Sequence, residues 1–101
     1  MRIEVLYIPG CPHHQLTVER VRNVLASESV VDEVCETPVK TEGEAQSLDF
    51  PGSPTVRVNG MDIEPNRTVT PVLACRLYTN GTGVPPEDML RAAISQAKRK
   101  E

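Results

Sequence analysis

The sequence predicts an α/β domain built on a mixed four-stranded sheet. Three observations predict it: a strand–helix–strand run over residues 2–39, a hairpin signal at Asn59-Gly60, and an amphipathic segment near the end of the chain. With 101 residues, the chain has length for one domain, residues 1–101, which can bury a core without disulfide staples.

"RIEVLYI", residues 2–8, is rich in Ile, Val, Leu and Tyr. Its nearly continuous apolar run predicts a central strand, stopped by Pro9 and Gly10. From Pro12 to about Ser27, Val18, Val21, Val24 and Leu25 fall near one helical face. Pro12 suits the first helical position, where its missing N–H would be unpaired anyway, so Cys11 is the expected N-cap. Residues 30–39, "VVDEVCETPV", alternate imperfectly and predict a second strand. A strand–helix–strand unit of this spacing implies parallel pairing through a right-handed crossover. Thr41, Ala45 and Leu48 suggest a short helix. "TVRV" and "MDIE" flank Asn59-Gly60, the strongest short hairpin signal, with Val56 and Val58 on one side and Met61 and Ile63 opposite. Residues 66–83 are irregular, and a loop this long in a small domain is often functional. The final helix is expected from Pro86 to Lys98, where Met89, Leu90, Ala93, Ile94 and Ala97 recur at helical spacing. Its acidic start and basic end suit the macrodipole. Two helices are expected to cover opposite faces of the sheet.

The charge balance excludes some functions. A net charge of -3 with no basic face argues against a nucleic-acid partner. The terminal Lys98, Arg99 and Lys100 read as a solvated run. No apolar run approaches the ~18 residues of a membrane span, and the N-terminus lacks the pattern of a secretory signal. A cytoplasmic, reducing location is the expectation. Three cysteines, Cys11, Cys35 and Cys75, are too few and too scattered for a disulfide framework. No phosphate loop, paired carboxylates or Ser-His-Asp set is evident, and no cofactor is expected. Glu44, Asp62 and Glu64 read as solvated surface.

Cys11 is the main candidate for chemistry. The positive end of a helix and its free N–H groups favour thiolate over thiol, and a nearby imidazole helps further. Cys35 reads as a buried strand residue, since free Cys packs as a small hydrophobe. Cys75 lies in the long loop, able to pass near Cys11. A soft-metal or mercurial site using Cys11 with His14 or Cys75 is an alternative. His13 and His14 would point about 100° apart in a first helical turn, which leaves His14 the better ligand and aims His13 outward or at the thiolate.

The element order, "GCPHH" after the first strand and "GSPT" before the hairpin together resemble the thioredoxin fold in its small glutaredoxin-like form, a three-layer α/β/α arrangement. "CPHH" is similar to the "CPHC" of bacterial disulfide oxidases, with His14 in place of the second cysteine. The stretches "YIPGCPHH", "GSPTVRVNG" and "CRLY" look like a group of small bacterial proteins of this fold, some labelled alkylmercury-lyase-like. The resemblance implies that Ser53-Pro54 is a cis bond exposing the Ser53 backbone to a peptide or thiol substrate. It implies thiol redox chemistry at a C-x-x-H motif, with Cys11 as a monothiol nucleophile, His13 tuning it, His14 in the lost resolving position and Pro54 shaping the groove. The implied partner is a protein disulfide or a low-molecular-weight thiol such as glutathione, which resolves Cys11 unless Cys75 or Cys35 does so. A non-enzymatic interaction domain on the same scaffold is the third reading.

Overall fold

A computed structural model describes residues 1–64, 73–74, 76–78 and 81–100. Along the chain run β1 (Ile3–Tyr7), α1 (His14–Ser27), β2 (Val34–Pro38), α2 (Glu42–Ser47), β3 (Thr55–Val58), β4 (Met61–Asp62) and α3 (Glu87–Lys100). The sheet order is β2-β1-β3-β4, with β1 parallel to β2 and antiparallel to β3. The fold is therefore α/β with a mixed four-stranded sheet, and the nearly continuous apolar strand is central.

Side-chain alternation along β1 divides the core. Ile3 and Val5 pack with Val18, Val21, Val24 and Leu25 of α1 and with Leu90 and Ile94 of α3. Leu6 turns to the other face and packs with Val39, Phe50 and Ala45 of α2. Thus α1 and α3 share one face and α2 covers the other, so three helices divide two against one. Polar contacts tie the paired helices. Arg20 Nη1 donates to the Pro85 carbonyl at 3.0 Å, and Ser95 Oγ donates to Glu28 at 2.7 Å. Lys98 is exposed as expected, and its Nζ donates to the Glu28 carbonyl at 2.6 Å, closing the α1 C-terminus.

Local chemistry explains the ends of the elements. Thr41 caps α2, its Oγ1 accepting from the Glu44 N–H at 3.1 Å. Asn59 and Gly60 both take positive φ, 53° and 83°, as a two-residue type I′ hairpin requires. Met61 pairs with Val58, but its side chain stays exposed while Ile63 is buried.

Two expectations are corrected. His13, not Cys11, is the N-cap of α1. The Cys11 carbonyl accepts from His14 N–H at 3.3 Å, a three-residue turn, and the α pattern begins only where His13 accepts from Thr17 at 3.1 Å. Cys35 is in a strand as expected but is exposed, because β2 is an edge strand with β1 as its neighbour.

Candidate functional site

The site lies where β1 ends. The Ile8 N–H donates to Ser53 Oγ at 3.0 Å, and the Ile8 carbonyl accepts from the Cys11 N–H at 2.9 Å. Ile8 therefore joins two segments 42 residues apart in sequence, Cys11 and Ser53. Cys11 is half-buried and free. No carboxylate occupies the first turn of α1.

The two histidines diverge. His14 stacks on Tyr7, with ring centroids 3.6 Å apart and planes 6° from parallel. Its Nε2 lies 2.7 Å from Glu36 Oε1, and Arg22 Nη2 lies 3.6 Å from the other Glu36 oxygen. His14 thus ties the start of α1 to both β1 and β2. His13 faces the segment before α3: a Cβ placed on Gly83 would overlap the His13 imidazole, so the ring rests against bare backbone. It is packed there instead of pointing outward. Among the described residues, no three His, Cys, Asp or Glu side chains converge in a group able to hold a metal ion. Cys75, the remaining ligand of that alternative and a candidate resolving thiol, lies outside the described residues.

The Ser53–Pro54 bond is cis. Ser53 is fully buried and its main chain is occupied: its N–H donates to the Ala74 carbonyl at 2.8 Å, and its carbonyl accepts from Arg76 N–H at 3.0 Å. The expectation that this backbone is exposed is therefore wrong, because the chain returns beside it. Pro54 is buried too, and its carbonyl accepts from Tyr78 Oη at 2.6 Å.

Arg76 anchors this return. Its guanidinium is fully buried and bidentate on Asp62, at 2.7 Å and 3.0 Å. It also reaches Glu64 at 3.3 Å and Thr55 Oγ1 at 3.1 Å, and lies 4.1 Å from the centre of the Tyr78 ring. Burial alone would depress the Arg76 pKa, but the bonds to Asp62 and Glu64 outweigh it, so the net shift is upward and the group stays charged. Asp62 and Glu64 are thus counter-ions of a buried cation, not idle surface. The signals for this were an arginine within the apolar run "VLACRLY" and two acids at positions i and i+2, which share a face beyond the hairpin turn.

Burial pushes the Tyr78 phenol well above its usual value, with the charge of Arg76 pulling the other way. Above about pH 10 an unfolded chain releases this proton while the folded one keeps it, so the unfolded state gains. Stability is therefore expected to fall by about 1.4 kcal/mol per pH unit as pH rises above about 10. Urea midpoints across alkaline pH check this. Tyr78→Phe should flatten the decline, and equal slopes in both proteins would refute the assignment.

No family model matches the chain, and no curated protein or solved structure matches it. Among the described residues, no helix is long and apolar enough to cross a membrane.

Proposed function

We propose that this chain is a thioredoxin-like thiol–disulfide exchange protein in which Cys11 is the nucleophile, acting in a reducing compartment such as the cytoplasm. One observation carries the reading. A half-buried free thiol at a strand-to-helix junction is linked through Ile8 to a cis proline segment that opens β3. The element order around it, β-α-β-α-β-β-α on a mixed four-stranded sheet, is compatible with the small glutaredoxin-like form.

The chemistry has two displacements. The Cys11 thiolate attacks one sulfur of a disulfide, forming a mixed disulfide and releasing the other sulfur as a thiolate that takes up a proton. A second thiol then attacks the mixed disulfide, a new disulfide leaves, and Cys11 is restored. His14 cannot supply that thiol. Its ring is committed to Tyr7 and Glu36, which makes it a positioning residue for the start of α1. An external thiol such as glutathione serves, or Cys75. Ala74 and Arg76, its neighbours in sequence, both bond to Ser53.

Alkylation of the native protein by iodoacetamide at neutral pH, resolved by peptide mass mapping, tests the reading. Cys35 is exposed on the edge strand and serves as an internal reference. Cys11 should react about tenfold faster than Cys35 despite its lower exposure. Equal or slower alkylation would leave Cys11 a packing residue and remove the proposed activity.

A further inference from the structure

We propose that the main chain of Ala74 and Arg76 is a built-in occupant of the backbone beside Cys11, so that this thiol exchanges with low-molecular-weight disulfides and excludes extended peptide disulfides. The proposal rests on the exchange reading of Cys11 and names its substrate class.

An extended peptide docks on a protein strand by pairing with free backbone N–H and C=O groups. Along the strand side of the junction, at Ile8, Ser53 and Pro54, those groups are already used. The Ser53 N–H and carbonyl bond to Ala74 and Arg76, at 2.8 Å and 3.0 Å. Pro54 has no N–H, and its carbonyl accepts from Tyr78. The Ile8 N–H is taken by Ser53 Oγ, and its carbonyl by the Cys11 N–H. Cys11 itself is half-buried, and Pro9, Gly10 and Pro12 beside it are exposed, so a small reagent has a path to the sulfur. A compact disulfide needs only a path to that sulfur, whereas a peptide also needs main-chain partners.

The occupant is not easily displaced. Leu73 packs against the Leu6–Phe50 cluster. Arg76 would have to leave Asp62 and Glu64 while its own backbone left Ser53. Gly52 brings the two backbones so close that a Cβ there would lie 2.7 Å from Arg76 Cβ.

Two 2-pyridyl mixed disulfides with the same leaving group provide the test, one made from glutathione and one from a heptapeptide with a central cysteine. In each reaction the protein thiolate bonds to the glutathione or peptide sulfur, the reagent S–S bond breaks, and the leaving group takes up the proton as 2-thiopyridone. Rates at Cys11 and Cys35 are separated by mass mapping. The peptide-to-glutathione rate ratio at Cys11 should be at least about tenfold lower than at Cys35. Tyr78→Phe and Arg76→Gln should raise that ratio wherever amide exchange at Ser53 is accelerated in a folded variant. Equal ratios at the two cysteines would overturn the exclusion. So would a low ratio that persists in a folded variant whose Ser53 amide has been freed. The absolute rate tests the exchange reading separately: a Cys11 no faster than Cys35 toward the glutathione reagent removes that reading itself.

Discussion

Arg76→Ala is expected to cost about 3–5 kcal/mol of folding stability, the range found when one partner of a buried ion pair is removed. For a domain whose total is about 5–15 kcal/mol, that is a large fraction. The Arg76 side chain is fully buried, while those of Asp62 and Glu64 keep 19% and 16% of their exposure. Truncation would leave two partly buried carboxylates facing each other without their cation. It would also remove the bond to Thr55 Oγ1 and the cover over Tyr78, and open a void at the centre of the return segment. Arg76→Met separates these effects. It refills much of the volume and leaves the carboxylates to find water, so its cost should fall below that of Ala. Urea denaturation reads both, with the loss appearing in the midpoint at unchanged slope. A loss under about 1 kcal/mol for Arg76→Ala would mean that the pair contributes little beyond an exposed ion pair.

Arg76 also marks where sequence reasoning stopped. Elements whose determinants are local were legible: the apolar run of β1, the periodic faces of α1 and α3, the Thr41 cap and the Asn59-Gly60 turn. Each depends on residues a few positions apart. The ion-pair cluster depends on residues 12 and 14 positions apart, joined across a segment with no local signature. A charged residue in an apolar run was visible, but its partners were not. Cys35 failed for a related reason. Its strand was legible, but the exposure of β2 followed from its place at the sheet edge, which is a property of the whole topology.

The candidate site divides in the same way. The position of Cys11 at the strand end follows from a short motif, and the cis bond at Pro54 was implied by the family resemblance that "GSPT" helps to carry. The placement of His14 does not. A histidine three residues beyond a cysteine suggests a ligand or a substitute for a thiol, whereas Tyr7 and Glu36, on two different strands, determine where its ring goes. The occupied Ser53 backbone was the least visible feature. It needs Ala74 and Arg76 to come back beside Ser53, and nothing local in "GSPT" announces that.

The same return makes Gly52→Ala the second large effect, with an expected loss of about 2–5 kcal/mol from two additive causes. The first is conformational: Gly52 has φ +131°, a region that residues with a Cβ rarely adopt. The second is steric: an added Cβ would lie 2.7 Å from Arg76 Cβ, 3.1 Å from the Ala74 carbonyl oxygen and 3.2 Å from Arg76 Cα. None of these is the far end of a flexible side chain, so relief requires moving the backbone of the return segment away from Ser53. Gly60→Ala isolates the first cause, since Gly60 has φ +83° but open space around its Cβ position. Its cost should stay near 1 kcal/mol, with Ser53 amide exchange unchanged. In Gly52→Ala that amide should exchange faster even under conditions where the protein remains folded, because the Ala74 bond is the contact the new methyl forces apart. If the two variants lose equal stability, the close approach at Gly52 is not limiting and the segment has room to accept the added methyl.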